Sequence, residues 1–115
     1  MLNRVTIIGN VGSEPEMRFT PSGKAVTSFR VAVNNKFGES ETTEWFAIVT
    51  WDKLAEQCNQ YINKGKQVYV EGRLQTRNWE SDDGVKHYKT EVIANRVLFL
   101  GKKEAGESTE TEEIF

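Results

Sequence analysis

The stretch that most constrains this chain is Thr43–Trp51, which reads T-E-W-F-A-I-V-T-W. Its β-branched and aromatic content predicts a strand. Side chains on a strand alternate, so Trp45, Ala47, Val49 and Trp51 share one face and Phe46, Ile48 and Thr50 the other. A sheet in a small domain ordinarily turns one face to the core and one to water. Neither face is polar here. Either the strand is buried on both sides, or its water-facing side presents two indoles for use. The stretch alone leaves both arrangements open.

The neighbouring segments favour a barrel. Arg4–Val11 alternates as a strand, with Gly9 and Gly12 at its far end as sites for a bend or bulge. Turn chemistry at Glu14-Pro15 and Thr20-Pro21-Ser22-Gly23 brackets a short strand, Met17–Phe19. Ala25–Asn34 sets Thr27, Phe29, Val31 and Val33 against Val26, Ser28, Arg30 and Ala32. Asn34–Thr42 reads as a polar loop carrying Phe37. Asp52–Asn63 has the apolar stripe of a helix in Leu54, Ala55, Cys58, Tyr61 and Ile62. Asp52 suits its N-cap and Gly65 its left-handed C-cap. Gln67–Trp79 and roughly Lys86–Leu100 are strands joined by the turn Ser81-Asp82-Asp83-Gly84. The order predicts an all-β fold, a five-stranded Greek-key barrel with one helix between its third and fourth strands.

Charge divides the chain. The net charge is −2, but the five acids from Glu104 onward have no basic residue among them, and residues 1–103 hold 15 bases against 12 acids. The body counted to residue 103 is therefore mildly basic, and the folded domain is expected over residues 1–101. Residues 102–115 lose hydrophobic periodicity and predict a flexible, disordered acidic tail ending in an apolar pair, Ile114-Phe115, that suits a short recognition motif. No signal peptide or long apolar segment is evident, so a cytoplasmic protein with no membrane partner is expected.

Enzyme and metal signatures are weak. One cysteine, Cys58, and one histidine, His87, argue against a disulfide framework and a zinc site. Cys58 on the helix stripe reads as a small buried apolar residue. Pro21-Ser22-Gly23-Lys24 lacks the earlier glycine and the Ser/Thr of a phosphate loop. The acidic pairs Glu14/Glu16, Glu39/Glu41 and Asp82/Asp83 have no apolar surroundings to raise a carboxylate for general acid chemistry. His87 reads as an ordinary strand residue beside the hairpin. What remains is aromatic and basic residues sharing strand faces: Trp45 with Trp51, and Arg73 and Arg77 with Trp79. Unpaired nucleic acid calls for that mixture, with cations along the phosphates and flat rings under the bases.

The stretches N-R-V-T-I-I-G-N-V-G (Asn3–Gly12), P-E-M-R-F-T-P-S-G (Pro15–Gly23), T-E-W-F (Thr43–Phe46), K-L-A-E (Lys53–Glu56), Y-I-N-K-G (Tyr61–Gly65), V-Y-V-E-G-R-L (Val68–Leu74), R-N-W (Arg77–Trp79) and Y-K-T-E-V (Tyr88–Val92) resemble the bacterial single-stranded DNA-binding proteins, homotetramers with one OB-fold per subunit. The resemblance covers about residues 1–100. It implies base stacking by Phe37, Trp45, Trp51 and Trp79, and phosphate contacts by Arg4, Lys53, Lys64 and Arg77; Arg73 joins them by its face. Phe37 stands where the family often has tryptophan, Trp51 where it often has phenylalanine, and Phe46 where a polar residue is common near a subunit interface. The resemblance further implies a non-enzymatic protein of the bacterial nucleoid, without cofactor or metal. It would wrap single-stranded DNA and serve replication, recombination and repair. The family's acidic tip recruits partner enzymes; Glu110, Glu112, Glu113, Ile114 and Phe115 are its counterpart, without the usual proline and with almost no linker. A primosomal OB-fold accessory factor is the alternative, predicting fewer stacking rings and no acidic tip.

Overall fold

Period-two alternation across five long segments gives a sheet with one continuous apolar face, and such a sheet buries that face by curling onto itself. The computed structural model describes residues 1–100. Its elements are β1 (Val5–Val11), β2 (Glu16–Phe19), β3 (Ala25–Phe37), β4 (Ser40–Trp51), α1 (Asp52–Tyr61), β5 (Gln67–Glu80) and β6 (Lys86–Phe99). Hydrogen bonding runs β1-β5-β6-β4-β3, and the pairs Asn10↔Ala32 and Val11↔Val31 join β3 back to β1. The barrel is thereby closed. Every pairing is antiparallel except β4 with β6, which run parallel through Ile48↔Val92 and Val49↔Ile93. The short β2 lies outside the closed ring, on β3 from Glu16↔Ser28 to Phe19↔Ala25. The expected Greek-key barrel is present. Its third and fourth barrel strands are β4 and β5, with α1 between them.

Inside, one face of each barrel strand contributes to the core. Val11, Phe29, Val31, Ile48, Val68, Val70, Val92, Ala94 and Val97 form one core, joined by Cys58 and Ile62 from the helix side. Thr27 and Thr50 are also fully buried. Their hydroxyls are used: Thr27 donates to the Ala55 carbonyl at 2.6 Å and Thr50 to the Thr27 carbonyl at 2.8 Å, so helix, β3 and β4 are tied through polar contacts. Closure also needs a close approach. A Cβ at Gly9 would overlap the carbonyl oxygen of Ala32 across the β1–β3 seam, so only glycine lets the two backbones meet there.

Several local expectations are corrected. Asn34–Thr42 is not a loop. β3 and β4 stay paired out to Phe37↔Ser40 and turn at Gly38, which has φ +60°. This ribbon projects past the core, so its polar residues lack the hydrophobic alternation that marks a strand in sequence. The irregularity foreseen at Gly9 and Gly12 lies instead between β5 and β6, where the register passes from Glu71↔Arg96 to Gly72↔Ala94 and leaves Asn95 as an extra residue. The helix starts from Trp51 as N-cap, with no side-chain capping bond. Asp52 is its first residue and has φ +56°. At the other end Ile62 is the C-cap, in extended conformation, and Gly65 (φ +94°) serves the following turn, where its N–H bonds the Val11 carbonyl at 2.7 Å. Tyr61, placed on the apolar stripe, is largely exposed and lies beside the Phe99 ring at 5.8 Å. The acidic tail, with Glu110, Glu112, Glu113, Ile114 and Phe115, lies outside the described residues.

Left-handed backbone at Asp52 costs a non-glycine residue free energy, and a β-branched one most. Asp52→Val is expected to lower unfolding stability by about 1–2 kcal/mol in urea titration, while Asp52→Gly stays at or above the parent. Equal stability of the three proteins would contradict the assigned conformation.

Candidate nucleic-acid interface

Register decides which side chains meet on the outside of the barrel. Residues directly opposed across the β3–β4 ladder share a face, and the pairs Val26↔Trp51, Ser28↔Val49, Arg30↔Ala47 and Ala32↔Trp45 all belong to the outer one. β2 extends these rows, with Arg18 opposite Val26 and Glu16 opposite Ser28. On the inner face Ile48 and Thr50 are fully buried and Phe46 packs partly buried against the core. The choice that the sequence left open is resolved. β4 buries one face and presents indoles on the other.

All four rings expected to stack reach water: Trp45 is 53% exposed, Trp51 40%, Trp79 44% and Phe37 77%. Each is held differently. Trp45 lies against Gly12, where a Cβ would overlap the six-membered ring, and the Arg30 guanidinium stands 5.2 Å from its centroid. Trp51 ends β4 and lines an open groove of ≈ 740 Å³ together with Arg18, Arg30, Arg77 and Lys89. Trp79 sits on the β5–β6 ribbon beyond the core, with the Arg77 guanidinium 4.9 Å from its ring. Phe37 is at the tip of the β3–β4 ribbon, at a strand end rather than in a loop.

The five expected cations are not brought together. Arg77 forms the groove wall and pairs with Glu91 at 3.6 Å, a carboxylate that also lies 3.9 Å from Lys89. Arg4 and Arg73 line a second, smaller depression of ≈ 320 Å³ beside Glu71 and Ile93. There Arg4 pairs with Glu71 at 3.5 Å, and Arg73 donates to the Gln75 side-chain oxygen at 2.9 Å. Tyr69 donates to the same Glu71 carboxylate at 2.9 Å; that bond first, with the charges of Arg4 and Arg96, holds the Glu71 carboxyl below its usual range. Lys53 is exposed in the first turn of α1 and Lys64 in the turn after it, and neither lines the groove.

Sequence reasoning missed three groove cations, Arg18, Arg30 and Lys89. Arg30 was already on the right face of its strand. Only the register Ala32↔Trp45 sets it beside an indole, and register is not written in one strand alone. Also missed was His87, whose ring stacks on Trp79 at 5.4 Å with an interplanar angle of 18°.

Reaction chemistry finds little support in the same region. Burial pushes the Cys58 thiol up to about 11, against a smaller opposing effect of its hydrogen bond with Thr50, so it stays protonated at neutral pH. Among the described residues no group of three or more His, Cys, Asp or Glu side chains is placed to hold a metal ion. No described helix is long and apolar enough to cross a membrane.

Because Trp45 rests on Gly12, Gly12→Ala is expected to push the indole outward. Near-ultraviolet circular dichroism should change and iodide quenching of tryptophan should rise, with the far-ultraviolet spectrum unchanged. Unaltered near-ultraviolet signal and quenching would show that the ring does not depend on that contact.

Comparison with known proteins agrees with this geometry. The model of the single-strand binding protein family matches residues 2–100. Single-stranded DNA-binding protein 1 of Chlorobaculum tepidum is 46% identical over 114 residues, covering 94% of this chain and 70% of that protein. Among solved structures, the Plasmodium falciparum SSB complex with ssDNA matches with a TM-score of 0.80 at 32% identity, over 87% of this chain and 96% of that one. The matched span takes in the whole barrel, the groove and the rings of Phe37, Trp45, Trp51 and Trp79; the chain belongs to the single-strand binding protein family.

Proposed function

We propose that this protein binds single-stranded DNA with little sequence preference, as a coat that blocks re-annealing and nuclease attack rather than as an enzyme. The observation that carries the reading is the pairing of ring and cation on the outer surface, Trp45 with Arg30 and Trp79 with Arg77, on either strand system that borders the groove. Unpaired bases expose flat faces that stack on such rings, for about 1–3 kcal/mol each in single-strand binders as a class. Phosphates follow the arginines. Phe37, Trp45, Trp51 and Trp79 are the stacking residues in this proposal, and Arg77, Arg4, Arg73, Lys53 and Lys64 the phosphate contacts, with Arg18, Arg30 and Lys89 added by the groove.

Family membership supports the wider assignments. Four copies would assemble and wrap one strand from subunit to subunit in the bacterial cytoplasm, on the nucleoid. The tip carrying Glu110, Glu112, Glu113, Ile114 and Phe115 would recruit enzymes of replication, recombination and repair. DNA binding and recruitment are then separable, since none of the four proposed stacking residues belongs to the tip.

Titration of intrinsic tryptophan fluorescence with oligo-dT tests the reading. Strong quenching is expected, with affinity falling by roughly 0.7 log units per released counterion for each tenfold rise in salt. Absence of quenching at low salt would refute it. Deleting Ile114-Phe115 should leave oligo-dT affinity unchanged or slightly higher; a large loss would overturn the separation of roles.

A further inference from the structure

The β5–β6 ribbon carries a group that the four-ring description leaves out. His87 is the only histidine in the chain. It is directly opposite Trp79 in the ladder, so the two side chains share a face, and the imidazole lies nearly parallel to the indole at 5.4 Å. The Arg77 guanidinium stands 4.9 Å from the same indole. Trp79 is thus not a bare plate. It is one member of a three-part assembly of imidazole, indole and guanidinium.

Ser81 Oγ lies within hydrogen-bond reach of the Asp83 carboxylate and of the Val85 carbonyl, and the first of these contacts holds the Asp83 carboxyl below its usual range, ahead of a bond from the Val85 N–H. His87 Nε2 lies 3.1 Å from the same Ser81 Oγ. The charged neighbours are mixed. Arg77 on β5 and Lys89, two residues further along β6, share the face of the ring. Glu91 is shared between those two cations, and Asp83 reaches His87 only through Ser81.

We propose that His87 is a further DNA-contacting residue, forming one platform with Trp79 and taking up a proton when a phosphodiester settles on the ribbon. The proposal rests on the single-strand binding reading above. A bound phosphate adds a negative charge beside the ring, and a charged imidazole lying flat on an indole also gains a cation–π contact. Histidine is the side chain suited to such a change between pH 5 and 8. Proton uptake on binding means that affinity rises as pH falls through that range.

The test compares oligo-dT affinity at pH 8.0 and pH 6.0, at one fixed salt concentration, for the full chain, His87→Phe and His87→Arg. Phenylalanine keeps the stack without a titratable nitrogen, and arginine supplies a permanent charge. The residue lies on a ribbon outside the core, and far-ultraviolet circular dichroism checks each fold. The parent is expected to gain about three- to tenfold more affinity on acidification than His87→Phe. His87→Arg should bind at pH 8.0 as tightly as the parent does at pH 6.0. Calorimetry of the parent at pH 6.5 in buffers of different ionisation enthalpy should register proton uptake that His87→Phe lacks. Identical pH dependence of parent and His87→Phe would overturn the role of His87 while leaving DNA binding intact. Absence of oligo-dT binding by the parent at both pH values would overturn the binding reading itself, and this inference with it.

Discussion

The ladder between β3 and β4 is the interaction on which most of this molecule depends. It runs without interruption from Val26↔Trp51 to Phe37↔Ser40. Near the barrel it directs Phe29, Val31 and Ile48 inward, where they are buried, and Arg30, Trp45 and Trp51 outward. A slip of one residue would exchange the two sets, putting indoles in the core and aliphatic side chains in water. One register therefore specifies the packing of the barrel and the composition of its aromatic outer face together. That is why a strand with two apolar faces is stable here: only one of them is core.

The surface combines elements of unequal constraint. Trp51 and the groove floor stand on the closed barrel, where side chains on the inner face are locked by packing. Trp79 and Phe37 stand on two-stranded ribbons whose residues face solvent on both sides; β5 is exposed from Arg73 to Glu80. Ribbons of this kind lie at the low end of local stability. The groove draws on both supports: Arg18 and Arg30 come from β2 and β3 on the barrel side, and Arg77 and Lys89 from the β5–β6 ribbon.

Much of the fold was legible because burial writes period two into sequence. Thr27, Phe29, Val31 and Val33, and Val68 and Val70, declared their faces and the barrel followed. The paired ribbon at Asn34–Thr42 was not legible, since strands with water on both sides keep their hydrogen bonds without hydrophobic alternation. Helix ends were misplaced for a related reason. Asp52 and Gly65 are residues that caps favour, but the tertiary contact of Gly65 with Val11 and the abrupt junction at Trp51 decided the conformation. For the site, the rings were readable from strand faces and from the family motifs. Their partners were not. Arg30 beside Trp45 and His87 on Trp79 arise from cross-strand register, and Arg4 and Arg73 line a depression separate from the groove that Arg77 borders.

The junction at Trp51 has a mechanical consequence. This residue is both the last of β4 and the N-cap of α1, so strand passes to helix with no intervening linker. Its indole borders the groove, while seven residues further on Cys58 is embedded in the core. A load applied to that ring has no slack segment in which to dissipate. It is carried directly into the helix and, through the Thr27–Ala55 hydrogen bond, across to β3. The ring at the groove edge and the helix against the core thus behave as the two arms of one lever, pivoting on a single left-handed residue.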